Sequence, residues 1–477
     1  MLFRFSVLYF VARLVPGVVN FAAIILFTRL LVPDEYGHYA LVLAAVGLGN
    51  ALLFRWLSVA LLRYLPAYEG REPVLLSTLL VSYLLLAAVS GGVGVVGWLL
   101  WYDVLVGQLF AVGTLFLLCQ AWFDINLQLI RVKLMPVRYG VLLMGKALIG
   151  LSVGVLLAYF GWGAWGPLIG MMIGALLPAI VVYSCYWKDA HWRLFDRGTA
   201  KQVFVYGMPL AITFVLGLVI SSSDRFLLGF YKGADVAGQY AVGYDLAQQT
   251  IGLLMLVVNL AAAPLAIKAL ESSGEDAARQ RLVSNAVGLC GIGFPAAAGL
   301  VMIAPNLSHV FLGEAYRMSA SALIPWVAVG ALLGGLKAFY FDLSFQLGKR
   351  THKQVLVVLV AAILNVLLNV WWIPYFGLLG AAYATVVAYG VALYLSWMMG
   401  RRIFPLPLPY SQIAKIVVAT LGMVVALWLA ADQRGVWALF QQVLWGGIAY
   451  CLLVLLLNVA GCQGYVKHAM TRLRNAL

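Results

Sequence analysis

Charge is scarce in this sequence. Of 477 residues only 31 are Lys or Arg and 17 Asp or Glu, 10% of the chain, against about 25% in ordinary soluble domains. A soluble chain of this length divides into two or three domains, each with its own polar surface, and so few charges cannot coat them. Histidine and cysteine are scarce too. His38, His191, His309, His352 and His468 are scattered, and Cys119, Cys185, Cys290, Cys451 and Cys462 show no CxxC pairing. That pattern offers neither a disulfide framework nor a Cys/His metal site, and the cysteines read as small core residues. HExxH is absent. Gly140–Ala147 approaches the phosphate-binding GxxxxGK[ST] loop, but Ala147 stands where the hydroxyl belongs and no strand precedes it. A soluble enzyme, a disordered scaffold and a secreted disulfide module are excluded.

What the chain has is apolar length. It is 64% hydrophobic with a mean hydropathy of +0.99, and runs of about 20 apolar residues suffice to span a bilayer. Such runs fall near 5–30, 38–60, 74–100, 105–130, 139–160 and 164–187. They resume near 202–230, 236–267, 282–304, 320–346, 354–373 and 377–400, with a final pair near 411–431 and 436–459. The expected fold class is an all-α integral membrane protein of about 14 transmembrane helices. Charge placement supports this count. With the N-terminus inside, 22 of the 31 basic residues fall on inside segments and 4 (Arg29, Lys232, Arg317 and Arg434) on outside ones, as the positive-inside rule requires. Both termini are then expected in the cytoplasm. The net charge of +14 meets membrane lipids at the cytoplasmic face, and no nucleic acid is an expected partner.

Two echoes divide the chain. Asp34, Gly37, Tyr39 and Ala40 after the first span recur as Asp235, Gly238, Tyr240 and Ala241 after the seventh, at an offset of 201. Tyr159-Phe160-Gly161 recurs as Tyr375-Phe376-Gly377. The organisation expected is a six-helix lobe over 1–187, a basic cytoplasmic linker over 188–201, and a second six-helix lobe over 202–400. Transmembrane helices 13 and 14 then occupy 411–459, ahead of a cytoplasmic tail over 460–477. The repeat is parallel, about an axis along the membrane normal, as in several transporter folds. Pro16 and Gly17 in the first span match Pro209 and Gly217 in the seventh as interruptions of corresponding helices. Asp34-Glu35 reads as a turn, and every outside loop is short, the longest being 305–319. Membrane glycosyltransferases and polymerases, which need sizeable outside loops, rank below a transporter.

Ionisable groups at membrane depth are costly and mark function. The basic ones are Arg13, Arg55, Lys146, Arg225 and Lys337, and the acidic ones Asp124, Asp224, Asp245 and Asp342. At about 1.5 Å per residue, Arg13, Arg55, Lys146 and Lys337 lie roughly 8–15 Å from the cytoplasmic end. Such a ring suits a phosphate or pyrophosphate; the alternative is that these side chains snorkel to headgroups. Asp245 is the leading candidate to bind a coupling ion. Asp124 and Asp342 are further candidates, with Asp124 able to neutralise one of the cations. Asp224 and Arg225 read as a local structural pair. Lys337 and Asp342, five apart, are not expected to share a helix face.

Thr28–Leu41 resembles the first-loop signature of Wzx-type polysaccharide flippases, as do Ser223–Gly229 and the Gly238-Gln239-Tyr240 that follows. Arg63-Tyr64-Leu65-Pro66 and the two six-helix halves extend the likeness essentially end to end. That family belongs to the multidrug/oligosaccharidyl-lipid/polysaccharide (MOP) exporter superfamily, which includes the lipid II flippase. The resemblance implies movement of an undecaprenyl-pyrophosphate-linked oligosaccharide across the bacterial cell inner membrane, for O-antigen, capsule, exopolysaccharide or peptidoglycan assembly. It implies a cationic cavity between two lobes in which Arg13, Arg55, Lys146 and Lys337 meet the pyrophosphate, and coupling to H+ or Na+. It also implies a lipid-tail groove at helices 13 and 14, polysaccharide polymerase or chain-length proteins as partners, and no cofactor or ATP site. The rival within the superfamily is a multidrug/cation antiporter. Those use a carboxylate in the first helix, where this chain has Arg13 and no acid.

Overall fold

The computed structural model describes residues 2–100, 103–429 and 434–464, and within these the side chains of all but 2–13, 181–185, 260, 261 and 263. Among the described residues every element is helical. In chain order these are α1 (Leu2–Leu30), α2 (Pro33–Leu53), α3 (Arg55–Tyr64), α4 (Glu72–Leu100) and α5 (Val104–Val132). Next come α6 (Pro136–Tyr159), α7 (Trp165–Tyr186), α8 (Arg197–Lys232), α9 (Ala234–Phe311) and α10 (Glu314–Leu336). After a π-helical segment, Lys337–Phe341, the chain continues as α11 (Leu343–Leu347), α12 (Thr351–Phe376), α13 (Leu378–Gly400), α14 (Tyr410–Trp428) and α15 (Val436–Leu456). Helices dominate because hydrocarbon offers no partner for an open backbone N–H or C=O.

Eleven described helical stretches are long and apolar enough to cross a membrane, and Leu14–Leu30 and Trp165–Ile180 are shorter apolar ones. Large apolar side chains face outward along them, among them Leu99, Phe230, Leu367 and Leu421, as lipid contact requires. Exposed aromatics gather where α6 gives way to α7 (Tyr159, Phe160 and Trp162), α12 to α13 (Tyr375 and Phe376) and α14 to α15 (Trp428 and Trp437). Such rings favour the membrane interface. This is a multi-pass membrane protein.

Two sequence expectations need correction, and a third span boundary is marked by a kink. The run 38–60 is broken: α2 stops at Leu53, Phe54 leaves helical geometry (φ −118, ψ −19), and Arg55 opens α3. No Pro or Gly marks that break. The runs 236–267 and 282–304 lie on either side of Gly274 (φ 83, ψ −174), the kink at which two helices meet within α9. The expected outside loop 305–319 shrinks to Leu312 and Gly313, because α9 runs to Phe311 and α10 starts at Glu314.

The chain forms two compact units, Met1–Ala241 and Val242–Leu477. In the first, α6 and α7 meet along a glycine seam. Gly150 and Gly154 on α6 face Gly166, Gly170 and Gly174 on α7. A methyl group at Gly170 would lie 2.5 Å from the Gly150 carbonyl oxygen, and one at Gly174 2.5 Å from that of Lys146. Residues four apart share a helix face, and small ones let backbones touch where dispersion drives helix association. The first echo forms a second close approach. A methyl at Gly37 would overlap the Ala234 carbonyl, and one at Gly238 would overlap that of Pro33. Both residue pairs keep the offset of 201, so the contact is reciprocal, as at a two-fold axis. The acidic pair of this motif supports the start of α2: Glu35 accepts from the Val32 amide at 3.2 Å and Asp34 pairs with His38, where the helix dipole favours negative charge.

The segment 188–201 is anchored in the first unit. The His191 amide donates to Ser77 Oγ at 2.9 Å, the Asp196 amide to Thr78 Oγ1 at 3.2 Å, and Thr199 meets the Tyr68 hydroxyl. Asp196 caps α8 by accepting from the Thr199 amide at 2.7 Å. Hydrogen bonds from the Thr199 side chain and backbone hold its carboxyl below the usual carboxylate range. In the second unit, Asn306 donates to Gln442 Oε1 at 3.0 Å and accepts from the Gly435 amide at 2.8 Å, tying α9 to α15.

Two outcomes follow for thermal unfolding of the purified protein. Gly170→Val should destabilise by about 1–3 kcal/mol through overpacking, whereas Gly217→Ala, with open space around it, should be neutral or slightly stabilising. Removing the Asp196 cap should lower the midpoint at pH 7. A folded carboxyl held below its unfolded value stabilises above the unfolded pKa, about 3.9. The gap between wild type and Asp196→Ala should therefore close as pH falls through the folded value.

Candidate functional site

In the first unit the charged positions of the spans converge on a chain of polar contacts. Asp124 on α5 accepts from Asn50 Nδ2 on α2 at 2.7 Å and from Gln120 Nε2, one turn earlier, at 3.0 Å. Gln120 turns its carbonyl to Lys146 Nζ on α6, whose ammonium also lies 4.8 Å from the centre of the Phe123 ring. Asp124 is thus bound by two amides and linked to Lys146 through one of them, rather than paired with a cation directly. The seam with α7 positions this lysine, since Gly174 rests on its carbonyl. Arg55, the first residue after the break in the second span, sets its guanidinium 4.5 Å from the centre of the Phe214 ring on α8. Its Nε is buried and has no hydrogen-bond partner among the described residues. A cation over an aromatic face is stabilised yet keeps its charge available. Arg13 lies on α1 with its side chain outside the described residues.

Asp224 and Arg225 are both buried on α8. The hydrogen bond seen at Asp224 comes from the Tyr240 hydroxyl, within the echo motif. Tyr39, the counterpart of Tyr240, reaches Met171 Sδ at 3.5 Å.

In the second unit, Lys337 and Asp342 overturn the reading that they cannot meet. Their side chains form an ion pair at 2.7 Å, both buried. Lys337–Phe341 is π-helical, and the Asp342 amide donates to the Lys337 carbonyl at 2.9 Å, a bond spanning five residues. A π turn brings i and i+5 to one face, where an α-helix separates them. Asp342 also accepts from Gln354 Nε2 on α12 at 3.0 Å and from Ser396 Oγ on α13 at 2.8 Å. Lys337, expected as one cation of a ring, is balanced here by a carboxylate with three donors. Asp245, partly buried near the start of α9, belongs to the same unit. Between α12 and α13, Asn365 bonds Thr385 at 3.3 Å and Asn369 at 3.0 Å, all three buried.

Sequence reasoning missed Asn50, Gln120, Gln354 and Ser396, because attention went to charges. A signal was present: Gln120 and Asp124 are four apart on one helix, the spacing at which side chains meet. A third echo was also legible. Phe123-Asp124-Ile125-Asn126-Leu127-Gln128-Leu129 recurs as Phe341-Asp342-Leu343-Ser344-Phe345-Gln346-Leu347 at an offset of 218, which puts the two carboxylates at equivalent places in the repeats.

Known proteins agree with this architecture. A protein-family model described as "Polysaccharide biosynthesis protein" matches residues 26–321, more than half of the chain. The amylovoran biosynthesis protein AmsL of Erwinia amylovora is 23% identical over 281 residues, 57% of this chain and 70% of AmsL. The membrane protein MJ1068 of Methanocaldococcus jannaschii is 22% identical over 227 residues, 46% of this chain and 44% of MJ1068, so the match spans less than half of that relative. Among solved structures, the lipid II flippase MurJ in an inward closed conformation matches with a TM-score of 0.80 at 13% identity, over 95% of this chain and 99% of MurJ. An inward-facing multidrug-resistance MATE transporter of the MOP superfamily matches with a TM-score of 0.61 at 14% identity, over 84% of this chain and 96% of that one. These structural neighbours are a flippase and a transporter, not enzymes. The chain belongs to the polysaccharide biosynthesis protein family and has the all-helical membrane fold that MurJ and the MATE transporters share.

Proposed function

We propose that this protein is a secondary transporter that flips a polyprenyl-pyrophosphate-linked oligosaccharide across the bacterial inner membrane by alternating access. Both termini would lie in the cytoplasm, and the glycan would serve polysaccharide or peptidoglycan assembly. The observation that carries this reading is the electrostatics of the first unit. Arg55 and Lys146 sit within helices of the bundle, each beside an aromatic ring, and among the described residues neither makes an ion pair. Positive charge left without a direct carboxylate inside an apolar bundle draws an anion, and a pyrophosphate offers several oxygens to guanidinium and ammonium donors. Arg13 joins them as a headgroup ligand in this reading, Asp124, Asp245 and Asp342 serve coupling to H+ or Na+, and α14 and α15 face the lipid tail. Names of relatives point the same way, AmsL to polysaccharide biosynthesis and MurJ to flipping of a lipid-linked saccharide.

Drug export is the second reading, favoured by the fold shared with the MATE transporter. It fits less well because α1 carries no acidic residue that would bind a cationic drug or its coupling ion. The two readings separate in proteoliposomes. With an undecaprenyl-pyrophosphate glycan, wild type should expose substrate on the far leaflet, while Arg13→Ala, Arg55→Ala and Lys146→Ala at matched reconstitution should be slower by about tenfold or more, the loss of one charge-assisted contact. Equal rates in all four proteins would dismiss the cationic site. Efflux of a cationic dye without glycan flipping would favour drug export.

A further inference from the structure

Away from the polar chain around Asp124, the first unit carries a groove of about 460 Å3 between α1 and α6, a size common among ligand sites. Leu26 and Leu30 on α1 and Val155 and Leu156 on α6 make its walls. Arg29 and Tyr159, each in the last turn of its helix, stand at one end. Ser152 lies below Tyr159, about 10 Å back along α6 at the helical rise. Tyr159 belongs with Phe160 and Trp162 to an exposed aromatic group of the kind that favours the membrane interface. The groove therefore starts at headgroup level and descends beside hydrocarbon.

An apolar groove stays dry, and in a bilayer the apolar matter that fills it is an acyl chain. The groups at its upper end select the headgroup. The Arg29 guanidinium offers five N–H donors in a planar fork that suits a phosphate. A carboxylate stands close by. Glu35 Oε2 accepts from the Val32 amide at 3.2 Å, just past Arg29 in the chain. Glu35 Oε1 would lie 2.6 Å from a methyl group at Gly163, just past Tyr159. Glu35 thus sits between the two chain segments that leave the groove, the turn from α1 to α2 and the turn from α6 to α7. Its neighbour Asp34 faces His38 at 3.4 Å. A carboxylate has about four lone-pair sites, so the Val32 amide leaves Glu35 able to accept more. A headgroup whose only charge is a phosphate meets Arg29 but is repelled by Glu35. A choline headgroup has no N–H to give that carboxylate. An ammonium beside a phosphate ester satisfies both.

We propose that the groove between α1 and α6 is a binding site for an aminophospholipid. One acyl chain lies against Leu26, Leu30, Val155 and Leu156, Arg29 holds the phosphate, and Glu35 accepts from the ammonium. The lipid then joins the ends of α1 and α6 to the start of α2, and it stabilises the first unit as any ligand of the folded state does. The site shares no residue with the polar chain of Asp124 and Lys146, and it does not depend on which cargo the protein moves.

The test uses the full-length protein in phosphatidylcholine nanodiscs. Each disc carries a trace of phosphatidylethanolamine, phosphatidylglycerol or phosphatidylcholine with a photoactivatable diazirine in one acyl chain, and the labelled peptides are mapped by mass spectrometry. In wild type, phosphatidylethanolamine should label residues 26–30 and 152–159 about threefold or more above the other two lipids, the effect of one exposed charge pair with good geometry. Glu35→Gln keeps an acceptor for the Val32 amide, and it should erase that preference while leaving the basal label of phosphatidylcholine. Arg29→Gln should lower labelling by all three lipids. Val155→Trp fills the groove from its lipid-facing wall and should remove the label from both segments. Equal labelling by the three lipids in wild type, or a preference that survives Glu35→Gln, would overturn the proposal. Labelling spread evenly over all lipid-facing helices would overturn it as well.

Discussion

A charge inside a bundle of apolar helices has to be balanced or held against a polarisable face, and much of the local detail of this protein answers that requirement. Asp342 is buried with three donors around it, one of them Lys337. To bring that lysine across, the helix opens by one residue into a π turn, a local deviation from α geometry that the ion pair rewards. Asp124 meets the same demand differently, with two amides and a lysine reached through one of them. Arg55 meets it with an aromatic ring, at a point where the second span has already broken. Such groups are expensive at membrane depth.

Close backbone packing makes this placement possible. The glycine seam sets α7 against the backbone of α6 at Lys146, so that the lysine's height relative to Gln120 follows from contacts between atoms that carry no side chain. The reciprocal contact of Gly37 with Ala234 and Gly238 with Pro33 does the same for the two echo motifs. Between helices in lipid, dispersion and close approach take over the role that water-driven burial has in soluble cores. The glycines are therefore part of how the polar groups are positioned.

The all-helical membrane fold was legible because an apolar run of bilayer length has one stable form, the helix. Where the reading missed, it missed through geometry that neighbours impose. The break at Phe54 carries no Pro or Gly, and the residue is buried in a cluster with Leu57, Leu61 and Trp187 that the one-dimensional pattern does not contain. Residues 305–311 were read as part of a loop, yet Asn306 spends its polarity on Gln442 and Gly435 and the helix continues. The ionisable residues were found by type, since charge within a span stands out. Their partners were not, because an amide such as Gln120 or Gln354 acquires its role from what lies across from it.

By itself the sequence determined that this is a membrane protein of many helices, built from a repeated unit, with a few ionisable side chains in its apolar spans. Those properties follow from composition, run length and internal offsets, which fold along the chain and need no knowledge of what packs where. Tertiary structure alone decided that Lys337 neutralises Asp342, that Gln120 stands between Lys146 and Asp124, and that Gly37 and Gly238 carry the contact between the two echo motifs. Hydrogen bonds and ion pairs act over about 3 Å, a distance set by the packing of helices far apart in the chain, and only the folded protein specifies it.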